Sequence, residues 1–166
     1  RQLEEVTFRR TVIPVQELLD AAGKYFKKSM KNRSERIELE IESMEAKVIG
    51  DVNQLCFLLE NLIDEALTVR EDGVIRLQAR QDNEYIRFLF TDTRREKSVE
   101  ELNQLFYPNL ARMTSGEKGE LRGTEYLVCK QIIRDHDEFA GRRGCRINAE
   151  PAEGGGFTVY FTIPRR

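Results

Sequence analysis

The chain has 166 residues, of which 40% are hydrophobic and 34% are charged, and its formal net charge is −2. This length and composition are typical of one globular domain with a sizeable core. The near-neutral charge excludes a global basic field of the kind that binds nucleic acid or an anionic membrane surface. No apolar run in the sequence approaches the roughly 18 residues of a membrane-spanning helix.

The three cysteines, Cys56, Cys129 and Cys145, are far apart and each lies in an apolar pattern. Their odd number and the single histidine favour buried free thiols in a reducing compartment over a disulfide or a metal site. The chain begins at Arg1 without Met and shows no signal peptide, which indicates a fragment of a longer protein.

The first predicted elements lie in residues 1–50. Residues 1–13 are charged and irregular, and we expect a linker or the end of an upstream helix, with the domain at residues 14–166. Pro14 suits a first helical turn, and apolar residues at helical spacing predict a helix to about Met30. Alternating apolar and charged residues then predict a strand at 37–41, and a short strand at 47–49 stops at Gly50.

Asp51 is a good helix N-cap, with Gln54 three residues later as a capping-box partner. The apolar positions that follow predict one long amphipathic helix to Leu67. Residues 74–80 and 85–91 read as an antiparallel hairpin. Ser98 and Glu101 form a second capping-box pattern, which predicts a short helix to about residue 106.

Residues 107–122 predict a long loop, and loops of this length in a compact domain are usually functional or disordered. A helix at 124–137 and strands at 144–150 and 156–163 complete the chain. Helices interleaved with mostly antiparallel strands predict an α+β fold. We expect a two-layer sandwich with one mixed, mostly antiparallel sheet and helices on one of its faces.

Three blocks at residues 50–67, 90–96 and 123–136 resemble the N, G1 and G2 boxes of the ATP-binding domain of sensor histidine kinases, in the GHKL superfamily. The similarity extends from about Val6 to Pro164 and includes the closing run that begins at Gly154. This resemblance implies a Bergerat-type (GHKL ATPase) sandwich with ATP and Mg²⁺ as its ligands.

In the first block, the family places two asparagines four residues apart, which puts both on one helical face. The resemblance implies that Asn61 and Glu65 hold these positions, as catalytic residues and Mg²⁺ ligands. A carboxylate is a legitimate Mg²⁺ ligand, but without the metal it would repel a phosphate about 4 Å away by about 4 kcal/mol at an effective dielectric of about 20. The alternative is that Glu65 is a solvated helix-face residue.

In the second block, Asp92 aligns with the aspartate that accepts the adenine amino group, and Thr93 fits the pattern. The family continues with Gly-x-Gly, whereas this chain has Arg94, Arg95 and Glu96. A residue with a Cβ loses about 1–2 kcal/mol in a left-handed conformation, and an arginine also occupies space. We expect Arg94 or Arg95 to pair with Asp92 and close the pocket; the alternative is a polar turn at the strand end.

In the third block, only Gly123 remains of the glycines that let helix-start amides hold phosphates. Arg122 and Lys118 are candidates for phosphate contacts, with solvated loop side chains as the alternative. The negative charge of Glu125 stabilises the helix N-terminus but repels an anionic ligand. His136 lies near a helix end, so we expect it to be structural or exposed and not a phosphoacceptor. Residues 137–144 are an insertion relative to the family.

These features indicate the C-terminal ATP-binding, catalytic-type domain of a two-component sensor histidine kinase-like protein, with weakened or lost ATP binding. Whether it transfers phosphate from ATP to histidine stays open. The alternatives are a non-catalytic pseudokinase scaffold and a stand-alone regulatory GHKL domain that binds a protein partner.

The resemblance also implies partners and a location. The expected partners are upstream dimerisation and phosphoacceptor helices or a response regulator, in a full-length homodimer. No nucleic acid and no membrane contact is expected for this fragment. We expect a cytoplasmic fragment of a larger bacterial sensor protein, with or without a membrane anchor.

Overall fold

The computed structural model describes residues 7–108, 114–115 and 121–166, with the backbone alone at 114–115 and 121–122. Nine strands and four helices follow one another in these ranges. In chain order they are β1 (Thr11–Pro14), α1 (Val15–Ser29), β2 (Ile37–Ile41), β3 (Lys47–Gly50), α2 (Val52–Ala66), β4 (Gly73–Asp82), β5 (Tyr85–Asp92), α3 (Val99–Asn103), β6 (Thr114–Ser115), β7 (Leu121–Arg122), α4 (Glu125–Phe139), β8 (Ile147–Pro151) and β9 (Phe157–Pro164).

A five-stranded sheet in the order β2-β4-β5-β9-β8 is the centre of the fold. The β2–β4 pair is parallel, and the other three pairs are antiparallel. The rings of Phe88 and Phe161 face each other across β5 and β9 and stack with their centroids 4.8 Å apart. Strands β1 and β3 form a separate two-stranded sheet, as do β6 and β7.

Helices α1, α2 and α4 cover one face of the five-stranded sheet, with α2 packed against both of the others. The apolar stripe of α2 is buried because it faces the inward side chains of β4, β5 and β9 in one continuous core. The predicted α+β sandwich, with a mostly antiparallel sheet and helices on one face, is confirmed.

Several elements begin or end at residues other than the predicted ones. Strand β1 begins at Thr11, inside the predicted linker, because residues 11–14 pair with β3 and bury Ile13. The hairpin strands reach Asp82 and Asp92, which leaves a two-residue turn where Asn83 has a φ of 56°. Helix α3 ends earlier than predicted, at Asn103, whereas α4 extends to Phe139.

The capping pattern at α2 is only half confirmed. The carboxylate of Asp51 accepts the backbone N–H of Gln54 at 3.1 Å, as an N-cap should. The reciprocal bond is replaced, because the backbone N–H of Asp51 donates to Nε2 of His136 at 3.0 Å. His136 is fully buried and structural, and it joins the start of α2 to α4.

The insertion at residues 137–144 fastens the end of α4 to neighbouring elements. The carboxylate of Asp137 accepts the backbone N–H groups of Gly144 and Cys145 at 2.6 and 3.0 Å. Arg142 pairs with Glu84, in the turn between β4 and β5, at 2.7 Å. The insertion therefore attaches the end of α4 to the turn between β4 and β5.

All three thiols are free, with Cys129 and Cys145 buried and Cys56 half-buried. Burial raises the pKa of Cys145 to about 12, with a smaller contribution from the charge of Asp137. Among the described residues, none of the helices combines the length and apolar character needed to cross a bilayer.

Candidate functional site

Asp92 is the last residue of β5 and is only 3% exposed, although it is charged. Its neighbours in the sheet are Ile75 on β4 and Phe157 on β9. The next residue, Thr93, donates its backbone N–H and its hydroxyl to the carbonyl oxygen of Val74 at 3.1 and 2.6 Å. The chain is therefore held tightly to β4 where it leaves the sheet.

Arg94 makes a bidentate ion pair with Asp92. Nε donates to Oδ1 and Nη2 donates to Oδ2, both at 2.9 Å, and the backbone N–H of Arg94 also donates to Oδ1 at 3.0 Å. The side chains of Arg94 and Asp92 are 1% and 4% exposed. The pair is therefore almost completely removed from water, and the charge of each side chain is compensated by the other.

The remaining donors of Arg94 bind backbone carbonyls at the end of α2. Nη2 donates to the carbonyl oxygen of Ala66 at 2.6 Å, and Nη1 donates to those of Val69 and Glu71, both at 3.0 Å. A guanidinium carries five N–H donors, and here each has an acceptor. Of the two arginines predicted to pair with Asp92, Arg94 does so and Arg95 is exposed.

Two glycines provide the space for this arrangement. Gly73 has a φ of +144°, and a Cβ on it would lie 2.5 Å from Cγ of Arg94. Gly156 has a φ of +85°, and a Cβ on it would overlap the carbonyl oxygen of Asp92. Both positions also favour glycine by conformation, since their positive φ is strained for other residues.

A small cavity lies beside the Asp92–Arg94 pair, between α2, the sheet and α4. Its volume is about 40 Å³, whereas pockets for small ligands measure about 300–1,000 Å³. Of the predicted site residues, Glu65, Asp92 and Arg95 line it. A larger groove of about 760 Å³ lies beside the start of α1, is lined by residues 14, 16 and 43–47, and involves no predicted site residue.

Asn61 and Glu65 lie one turn apart on α2, as their spacing predicts. Asn61 is buried, and its amide nitrogen donates to the carbonyl oxygen of Phe57 at 2.8 Å. Within the described ranges, no group of three or more His, Cys, Asp or Glu side chains is placed to hold a metal ion.

Carboxylates from α2 and α4 meet near Cys129. Burial raises the pKa of this thiol, and the charges of Glu125 and Glu65 raise it further. Glu125 is the first residue of α4, and its Oε2 is buried without a hydrogen-bond partner in the part of the chain that the structure describes. Arg95 and Lys97 line the neighbouring cavity together with Glu65, so charges of both signs lie beside it.

The third block is only partly visible in the structure. Gly123 has a φ of +80°, the conformation that favours glycine at a turn into a helix. Thr124 is the N-cap of α4 but makes no side-chain capping bond. Arg122 lies in β7, where only the backbone is described, and Lys118 lies outside the described residues.

Sequence reasoning missed Gly73, Gly156 and the three carbonyl groups that bind Arg94. Gly73 had been predicted only as part of a turn, at residues 71–73. A glycine at the first position of a strand is a usable signal for close approach, but it does not identify which side chain approaches.

Comparisons with known proteins agree with the fold. The family model for histidine kinase-, DNA gyrase B- and HSP90-like ATPases matches residues 50–166. No curated protein matches the chain by sequence.

Several solved structures have the same fold at low sequence identity. The mycobacterial sensor histidine kinase MprB is 20% identical, with a TM-score of 0.71 over 95% of this chain and 99% of that one. Full-length ShkA, solved in complex with AMPPNP, is 16% identical, with a TM-score of 0.72 over 96% of this chain and 32% of that one. Histidine kinase ThkA, solved in complex with the response regulator protein TrrA, is 18% identical, with a TM-score of 0.70 over 96% of this chain and 42% of that one.

The family model covers well over half of the chain, from the start of the first block to the C-terminal residue. The chain belongs to the family of histidine kinase-, DNA gyrase B- and HSP90-like ATPases, and its fold is that of histidine kinase catalytic domains.

Proposed function

We propose that this chain is the ATPase-type domain of a two-component sensor protein in which Arg94 closes the nucleotide site and ATP binding is weakened or lost. One observation carries the proposal. The carboxylate that would accept the adenine amino group, on Asp92, is bonded through both oxygens to Arg94 instead.

The buried Asp92–Arg94 pair makes the closed state of the site lower in free energy than an open state in which the pair is separated. For a nucleotide to reach Asp92, Arg94 must leave a site in which its side chain is 1% exposed. Separating a buried, hydrogen-bonded ion pair costs about 3–5 kcal/mol. If only the open state binds, this cost lowers the apparent affinity by about two to four orders of magnitude.

The carboxylate of Glu125, on the phosphate side of the site, also opposes a nucleotide. Glu125 lies at the start of α4, where a helix N-terminus would otherwise attract an anion. Glu65 on α2 brings a second carboxylate to the cavity, and Arg95 and Lys97 bring cations to it. The described residues do not form a preformed divalent cation site, and Mg²⁺ prefers several oxygen ligands in octahedral geometry. These residues do not fit Mg²⁺–ATP, and we assign them no step of phosphoryl transfer.

A fold does not by itself imply an activity. A domain of this fold that does not bind ATP can still bind a protein partner. ThkA, which has the same fold, has been solved with a response regulator. We propose that this domain is a non-catalytic module in a sensor protein and that its partners are upstream dimerisation helices or a response regulator. The second candidate is a stand-alone regulatory domain, which the same closed site would suit.

Calorimetry with Mg²⁺ and a non-hydrolysable ATP analogue tests the proposal. We expect no binding heat up to millimolar ligand for the wild-type chain. Binding tighter than about 1 mM, corresponding to about −4 kcal/mol, that disappears in Asp92→Ala would contradict lost nucleotide binding.

A paired variant tests closure by Arg94. The double substitution Arg94→Gly with Glu96→Gly removes the guanidinium and restores the glycines of the second block, so nucleotide affinity should rise. Arg146→Gly is the control, since Arg146 is exposed, does not line the cavity beside Asp92 and should leave affinity unchanged. An affinity that is equal in the wild type and the double variant would count against closure by Arg94.

A further inference from the structure

We infer that the closed pocket is a guanidinium-binding site, occupied in cis by Arg94, and that it accepts a free guanidinium ion once that side chain is removed. The inference rests on the proposed function, in which Arg94 closes the nucleotide site. Beyond that function, it assigns a chemical class of ligand to the pocket, the guanidinium ions.

The number and type of the surrounding groups match a guanidinium. Five acceptor contacts surround the group, two from the carboxylate of Asp92 and three from backbone carbonyls. A guanidinium has five donors in a fixed plane and no acceptor. An adenine edge presents ring nitrogens that accept hydrogen bonds, and these would face carbonyl oxygens without a donor between them.

The three carbonyls belong to the end of α2 and the segment after it. Ala66 is the last residue of α2, and Val69 and Glu71 follow it. Carbonyls at a helix C-terminus lack partners within the helix, and a cation there is favoured by the helix dipole. A guanidinium therefore satisfies the end of α2 and the buried carboxylate at the same time.

The pocket is also shaped for this side chain. Gly73 leaves the space that the Cγ and Cδ atoms of Arg94 occupy, at 2.5 and 3.2 Å from the position that a Cβ would take. In Arg94→Ala, the acceptors remain while the donors are gone. A small guanidinium ion can then supply the same donors without a connecting chain.

Thermal unfolding of three proteins tests the inference: the wild type, Arg94→Ala and the matched control Arg95→Ala. Each is measured with methylguanidinium chloride and, separately, with methylammonium chloride at the same concentration. We expect Arg94→Ala to have a clearly lower Tm than the other two proteins. We expect about 20 mM methylguanidinium to raise its Tm by a few degrees, with no rise for methylammonium or for the other two proteins.

A second variant keeps the test decisive if Arg94→Ala does not fold alone. Asp92→Asn with Arg94→Ala leaves no charge unpaired, so it should be more stable than Arg94→Ala and gain nothing from methylguanidinium. For unfolded Arg94→Ala, native circular dichroism should then return on refolding with methylguanidinium and not with methylammonium.

Three outcomes would overturn the inference. They are no response of Arg94→Ala to methylguanidinium, an equal response to methylammonium, and an equal response of the double variant. A Tm rise with adenosine and none with methylguanidinium would also overturn it and assign the pocket to purines. The proposed function fails separately, if the wild-type chain binds the ATP analogue in calorimetry.

Discussion

Both ring nitrogens of His136 make hydrogen bonds, one to the start of α2 and one within α4. Nε2 accepts the backbone N–H of Asp51 at 3.0 Å, and Nδ1 lies 2.8 Å from the carbonyl oxygen of Ile132. Only the neutral ring with its proton on Nδ1 can make both bonds. Burial lowers the pKa of His136, while the bond to Ile132 and the charges of Asp51 and Asp135 partly oppose that shift.

Stability should therefore depend on pH through this residue. A histidine whose pKa is lower in the folded state contributes stability that is fully present above its unfolded pKa of about 6.5 and is lost as the pH falls below it. We expect the free energy of unfolding in urea to fall between pH 7.5 and pH 5.5. The comparison with His136→Gln, which does not titrate, isolates this component from the carboxylates. An identical pH dependence in both proteins would exclude His136 as its source.

At the residue scale, sequence reasoning predicted the pairing with Asp92 but did not distinguish Arg94 from Arg95. Arg94 and Arg95 were equivalent candidates, because both follow Asp92 closely. The structure distinguishes them, since the backbone of Arg94 also bonds to Asp92 and its guanidinium reaches the end of α2. Those carbonyls lie 23 to 28 residues earlier in the chain, and no local pattern connects them with Arg94.

At the element scale, the turn between β8 and β9 packs against the end of β5 and holds the backbone of Asp92 in place. The turn is closed by a bond from the backbone N–H of Ala152 to the carbonyl oxygen of Gly156, at 3.0 Å. Gly156 then passes directly against the backbone of Asp92 and Thr93. The position of Asp92 therefore depends on Gly156, which lies 64 residues later in the chain.

Two glycine variants separate the effect of a steric contact from the effect of a strained backbone conformation. Gly154 and Gly156 have nearly the same φ, +87° and +85°, but a Cβ on Gly154 would have nothing within 4 Å. We expect Gly154→Ala to lower the free energy of unfolding by about 1–2 kcal/mol, from left-handed strain alone. Gly156→Ala should lower it by several kcal/mol more or prevent folding, since the added methyl meets backbone atoms. Equal losses in urea unfolding would show that the contact with Asp92 does not matter.

At the scale of the whole molecule, one core joins the sheet and the helix layer. Leu58 and Leu62 of α2, Phe88 and Phe161 of the sheet, and Cys129 of α4 belong to the same buried cluster. Deleting any layer would expose the others, so the layers are expected to unfold together.

This shared core predicts a single cooperative transition. The chain has five tyrosines and no tryptophan, so tyrosine fluorescence reports tertiary structure while far-ultraviolet circular dichroism reports the helices. We expect both signals to change with one midpoint in urea. Two separated midpoints would contradict a single cooperative unit.

Local periodicity predicted most helices and strands because an element with one buried face repeats its apolar residues at its own period. Strand β1 was not predicted, and the end of α3 was predicted too late, since both depend on pairing and packing partners distant in sequence. Strand β1 has only four residues and gains its order from β3, which local composition does not reveal.

By itself, the sequence determined the order of the four helices and of the five strands of the main sheet, the sandwich architecture and the resemblance of three blocks to a nucleotide site, because each of these depends on local residue spacing. Only the tertiary structure decided what occupies the end of β5. Arg94 fills that position because Gly73 and the carbonyls after α2 converge on it from another part of the chain. Hydrogen bonding in a buried site depends on which groups meet in space, and that convergence follows from packing and not from spacing.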